Sequence, residues 1–403
     1  MTKRILSLLL AIGFLSTAMA DTTRETIQIE VLPDHSGQQW FWTFGPGIPF
    51  ASESRAYLFD ADGENLGQLN AGTWLTSLVF DELRDEILTV ETYFSRGTRG
   101  TRSDQVVIYD SHTLQVKQEI SIPPKRMEAV KSTGVAPLSD DNRFLLVVNF
   151  TPAQSVSVVD LEKREFVTEI ETPGCSVLYP AGNRDFYSIC GNGGFMQIRL
   201  DDEGQVVFKK RHPPLFDPVN DFLTTAASRI GDTWYFVSFE NNVHAITMTP
   251  DNIGITKQWS LVTDAERADN WRISGQHHTA VHKKTNQLFV LMHQGDPHTF
   301  EEPGEEVWVF DTLSGQRIKT IDLDDVALSI GVSQGPEATL HALAFNVPLP
   351  TLFTMWIYFV EGEAELMKHV VQVVDLYDAQ TGEHLNKVGD IPVGGYQTVV
   401  APW

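Results

Sequence analysis

Five histidines fall within 22 residues: His277, His278, His282, His293 and His298. A metal centre would need three or four such side chains to converge on one ion. His278 and His282 fall on a segment read as a strand, where a spacing of four puts them on one face about 13 Å apart. One ion cannot bridge that gap, so the group reads as surface or hydrogen-bonded histidines. A metalloprotease signature is missing too, since the chain contains no H-E-x-x-H. Gly45-Pro46-Gly47 and Gly191-Asn192-Gly193-Gly194 are not followed by a helical pattern. They therefore read as tight turns, not as phosphate cradles at a helix N-terminus. The carboxylate pairs Glu301-Glu302 and Glu305-Glu306 sit in a polar loop and read as solvated. The chain presents no catalytic, cofactor-binding or metal-ligating constellation of its own.

The two cysteines, Cys175 and Cys190, say more. There is no C-x-x-C and no haem-attachment motif. Residues 1–20 have the layout of a secretory signal peptide, with Lys3 and Arg4, an apolar run from Ile5 to Ala18, and the small-x-small site Ala18-Met19-Ala20. In an oxidising compartment an even pair of cysteines reads as a disulfide. Their 15-residue separation fits a strand-turn-strand that returns the ends to bonding distance.

No later stretch has the length of a membrane span. The most apolar, Val347 to Val360, is 14 residues long and interrupted by Pro348 and Pro350. With 30 basic and 53 acidic residues the formal charge is −23, or −25 once a leader carrying Lys3 and Arg4 is removed. Such a surface repels phosphate backbones, which argues against a nucleic-acid partner.

The elements that carry these residues follow from a repeat. IYDSHTLQVKQEI at 108–120, VVDLEKREFVTEI at 158–170 and VFDTLSGQRIKTI at 309–321 share one plan: an apolar strand, a turn opened by aspartate, and an alternating return strand. Aspartate suits such turns because its side chain satisfies nearby backbone donors. Looser copies place the turn positions at Asp60, Asp110, Asp160, Asp201, Thr249, Asp311 and Asp375, spaced by 50, 50, 41, 48, 62 and 64 residues. Propeller blades need roughly 40–50 residues each. The expectation is one all-β, seven-bladed β-propeller over 21–403, behind the signal peptide. Only Asp264 to Trp271 reads as a helical turn. Loops at 293–306 and 345–369 lengthen the last two repeats, and they serve either as a partner interface or as cover for their own blades.

Several segments resemble the heavy subunit of quinoprotein amine dehydrogenases, the methylamine and aromatic amine types. They are FSRGTRGTRSDQVVIYD (94–110), NFTPAQSVSVVDLEKREFV (149–167), the span from Pro173-Gly174-Cys175 to Cys190-Gly191-Asn192-Gly193-Gly194, TDAERADNWRISG (263–275) and EEVWVFDTLSGQRI (305–318). The resemblance covers about residues 55 to 335. It departs where the family's usual Gln pair is replaced by His277 and His278, and again after Phe345.

The resemblance implies a periplasmic α2β2 heterotetramer whose heavy subunit is non-catalytic. Its cofactor, tryptophan tryptophylquinone, is made from two tryptophans of a separate, disulfide-rich light subunit. Electrons from the oxidised primary amine would pass to a small copper protein or cytochrome c. It also implies that an aromatic residue on an early-blade loop walls the substrate channel. The matching loop is Asn70-Ala71-Gly72-Thr73-Trp74-Leu75, so Trp74 is the substrate-channel candidate, with a core aromatic between blades as the alternative. A stand-alone periplasmic propeller that binds a protein or peptide is the competing function.

Overall fold

The computed structural model describes residues 30–35, 37–46, 53–130, 132–346, 370–389, 391 and 398–400. The leader expected at 1–20 and most of the insertion expected at 345–369 lie outside the described residues. The fold is an all-β propeller, with one short α-helix among the described residues, Asp264–Ala268, where the helical turn was expected. Thr263 caps that helix and Glu266 returns the bond to the cap, which satisfies donors the helix cannot use itself.

The first sheet joins the two ends of the fold. Thr398–Val400 pairs with Phe41–Pro46, which continues through Ser54–Phe59 to Asn65–Asn70. The second sheet contains Ser77–Asp81, Glu86–Arg96, Arg99–Asp110 and Val116–Ile122. Phe144–Asn149, Ser155–Asp160 and Glu165–Glu171 form the third. The fourth comprises Cys175–Pro180, Asp185–Cys190, Phe195–Leu200 and Val206–Arg211. Ser228–Ile230, Thr233–Val237, Asn242–Met248 and Ile253–Ser260 form the fifth.

The expected seven blades are corrected here. Among the described residues five sheets have blade size, and the remaining strands between Trp271 and Val388 form a single eight-stranded sheet. Its hinge is Arg317–Val332, a strand of 16 residues. The first part pairs with Gly304–Asp311 and the second with Thr339–Asn346, while Ala327 faces Gly304 on one side and Ala344 on the other. Residues 320–327 contain no Gly, Pro or Asn to break the strand. Two hairpins that repeat in sequence therefore share one sheet.

Packing between sheets follows the two-residue alternation of strands. Phe41 turns toward Leu343, Val374 and Leu376 of the broad sheet, whereas its neighbour Trp42 turns toward Ile87, Val107 and Tyr109 of the second. Both rings are fully buried, each contributing roughly 1.5–3 kcal/mol from its removal from water. One strand thereby closes the fold on both sides.

The turn aspartates behave as expected in most repeats. Asp160 accepts from the Glu162 and Lys163 amides at 2.9 and 3.0 Å, and Asp201 from Glu203 and Gln205 at 3.0 and 2.8 Å. Asp375 does not. It lies inside the strand Val371–Asp378, and Asp378 caps the turn by accepting from Gln380 and Thr381 at 2.8 and 2.6 Å. Among the described residues no helix is long and apolar enough to cross a membrane.

Candidate functional site

The loop between Asn70 and Ser77 is held on every side. Ser54 donates to Gly72 O at 2.7 Å, and the Thr73 amide donates to Thr92 O at 2.9 Å. Gly72 has φ +71°, and a Cβ there would meet the Glu91 Cβ at 2.9 Å and the Thr92 backbone at 3.0 Å, so only glycine fits. Two residues on, Trp74 takes φ +60°, a conformation that bulky residues rarely adopt. Its carbonyl accepts from the Ser54 hydroxyl. The indole is 44% exposed, so it is not a core aromatic wedged between sheets.

Arg126 supplies the clamp. Its side chain is buried, with Nη1 donating to Leu75 O at 2.7 Å, Nη2 to Thr73 O at 2.9 Å and Nε to Thr92 Oγ1 at 2.6 Å. Its backbone amide donates to the buried Asp104 carboxylate at 2.8 Å. Arg102 grips both oxygens of Asp104 at 2.9 Å. Burial pushes the Arg126 guanidinium down to about 10, so it stays charged at neutral pH. Beneath Gly72, Glu91 is buried against Thr89, Tyr93 and Tyr109, and burial pushes its carboxyl up. The Arg102-x-Asp104 spacing, same-face on a strand, was a legible signal for part of this network. Arg126 carried none, because its partners lie 34 to 53 residues away.

A series of three bordering cavities starts at this loop. One of about 40 Å³ is lined by Leu75, Thr76, Ser132, Ala226 and His277. Through Leu78 and Thr133 it borders a second, of about 320 Å³, reaching Tyr179, Trp234 and Val400. Through Ala226 it borders a third, of about 390 Å³, walled by Phe222, Phe300, Gln276 and His278. Sequence reasoning did not find the third, since its walls come from four separated segments.

The histidines disperse. His278 Nε2 lies 2.8 Å from Thr224 Oγ1, His282 Nδ1 2.7 Å from Thr285 Oγ1, and His293 Nε2 3.1 Å from Thr299 Oγ1. Burial pushes His277 and His278 down to about 4, leaving both neutral. No three His, Cys, Asp or Glu side chains group as metal ligands among the described residues. Cys175 and Cys190 are directly paired across their strands and joined by a disulfide.

The methylamine dehydrogenase heavy chain (MADH) family matches residues 42–374. The methylamine dehydrogenase heavy chain of Methylobacillus flagellatus is 30% identical over 333 residues, 77% of this chain and 81% of that one. That of Methylophilus methylotrophus is 29% identical over 355 residues, 84% and 86% of the two chains. Among solved structures, dihydro-heme d1 dehydrogenase NirN in complex with DHE superposes with a TM-score of 0.50 at 13% identity, covering 90% of this chain and 75% of that one. That likeness concerns the fold alone. The match across 42–374 decides the lineage: this chain belongs to the methylamine dehydrogenase heavy chain family.

Proposed function

We propose that the chain is the non-catalytic heavy subunit of a periplasmic amine dehydrogenase. It supports oxidative deamination of primary amines by a light subunit that carries tryptophan tryptophylquinone. The family match over residues 42–374 is the observation that carries this reading, since it identifies a subunit of an amine-oxidising quinoprotein complex. Residues 1–20 direct export and are then removed. The light chain completes an α2β2 assembly and passes electrons to a small copper protein or cytochrome c.

Among the described residues, the tryptophan pair Trp271 and Trp308 does not suit the quinone. Trp271 and Trp308 approach with ring centroids 5.1 Å apart, yet Trp308 is buried. The Arg317 guanidinium covers its face at 3.9 Å, and its Nε1 donates to Glu306 at 2.6 Å. That environment packs and hydrogen-bonds Trp308 as a structural side chain, in keeping with a quinone carried by the partner chain. The part left to this chain is to hold the light subunit and shape the route of the amine, with Trp74 as a channel wall.

Co-purification tests the proposal. Isolated from its native host, the chain should bring down a smaller, cysteine-rich chain with a quinone absorption band, and the complex should reduce a redox dye when given a primary amine. The heavy chain alone should not. A colourless, homogeneous propeller without amine-dependent dye reduction would instead support a stand-alone binding module.

A further inference from the structure

The 390 Å³ cleft has a definite chemistry. Its aromatic walls are Phe222 and Phe300, packed edge to face with centroids 5.7 Å apart. Phe239 backs both, stacked on Phe222 at 5.1 Å and edge-on to Phe300 at 5.9 Å. The Gln276 side-chain oxygen is buried and has no hydrogen-bond partner among the described residues, although Gln276 lines the cleft. A buried acceptor left unpaired is costly and marks a place where a donor belongs. Glu301 also lines the cleft, and no lysine or arginine does among the described residues. His278 completes the wall as a neutral ring.

The walls are fixed. Glu302 O accepts from the Gly275 amide at 2.7 Å and from Ser274 Oγ at 2.8 Å, which ties the loop bearing Phe300 and Glu301 to the opposite wall. Gly275 has φ +80°, and a Cβ there would meet Leu328 O at 2.6 Å, so the backbone can pass only as glycine. The Gln276 amide is anchored on Leu328 O at 2.8 Å.

Aromatic faces and a carboxylate, with no lysine or arginine among the described lining residues, select an organic cation, because the ring quadrupole and the carboxylate both attract positive charge. The volume suits a small ligand with an apolar tail. We propose that the cleft between Phe222, Phe300, Gln276 and Glu301 binds protonated primary amines. It would be an outer subsite, separated by Ala226 from the cavity that reaches Leu75 and Thr76 beside Trp74. The choice of a primary amine among organic cations rests on the amine-oxidising reading. The ammonium group pairs with Glu301, and the tail lies on the two phenylalanine rings. The subsite gathers amine at the face where the channel opens and changes no bond.

Isothermal titration of the full chain with 2-phenylethylammonium chloride tests this, with 2-phenylethanol as the uncharged counterpart. The ammonium should bind about tenfold more tightly than the alcohol. Glu301→Gln should remove most of that preference and leave the alcohol unchanged. Phe222→Ala should weaken both ligands. Equal binding of ammonium and alcohol, or an ammonium affinity untouched by Glu301→Gln, would overturn the proposal. Amine turnover by the assembled complex, with no ammonium binding to this chain, would end the subsite and leave the proposed function standing. Binding without any turnover would do the reverse.

Discussion

Arg126 spans the backbone on either side of Trp74, donating to Thr73 O at 2.9 Å and Leu75 O at 2.7 Å. An exposed indole at positive φ is thus held by a guanidinium that is itself buried. The loop is rigid at its backbone and open at its side chain. That combination suits a residue that must stand at a fixed place in a channel wall.

Trp74→Ala should alter which amines the assembled complex prefers while leaving the fold intact. A contact of a few methylenes changes discrimination by about 1–3 kcal/mol, read as a shift in relative kcat/KM between a small and a bulky amine. With the indole 44% exposed, the thermal midpoint should barely move. Strong destabilisation at unchanged preference, the signature of a packed core residue losing about 3–5 kcal/mol, would remove Trp74 from the channel.

Arg126→Met should destabilise the chain by about 3–5 kcal/mol, because buried acceptors lose a charged donor. Arg126→Lys retains the charge but lacks the fork that reaches both carbonyls. It should cost less stability and still shift amine preference in the same direction as Trp74→Ala. Denaturant midpoints and amine selectivity, measured on both variants, separate the two effects. A methionine variant as stable as the parent would show that the clamp contributes nothing.

Cys175 and Cys190 close a loop whose cross-link is worth about 3 kcal/mol in the chain-entropy model. Replacing both with serine should lower the thermal midpoint by several degrees, and mass spectrometry of unreduced peptides should recover them joined. Two free thiols in protein purified without reductant from its native host would contradict this.

Acid should loosen the contact between the second and third sheets. Burial alone would raise the Glu86 carboxyl, but Arg164 and Lys117, both 2.8 Å away, override it and hold the group below its ordinary 4.5. A carboxylate with a depressed folded-state pKa adds stability above its ordinary value, and loses it as pH falls through the folded value. Glu86→Gln should therefore cost about 1–2 kcal/mol at pH 7, with the difference from the parent shrinking once pH drops below 4.5. A gap between the two proteins that stays constant down to acid pH would rule out this linkage.

The sequence by itself determined the class of structure and the local chemistry of its turns. Alternating strands and turn aspartates such as Asp160 and Asp201 depend on neighbours a few residues away, so a linear pattern displays them. The pairing of Cys175 with Cys190 was legible for the same reason, across one hairpin. Tertiary structure decided which hairpins share a sheet. Hairpin spacing counts strand pairs, and the unbroken strand Arg317–Val332 pairs with one hairpin along its first part and with the next along its second. It decided the last turn as well, where Asp378 and not Asp375 meets the free amides. The Arg126 clamp and the Phe222–Phe300 cleft belong to the same category. Their members lie far apart in the chain, and only the closed packing of the sheets brings them within hydrogen-bond and ring-contact distance.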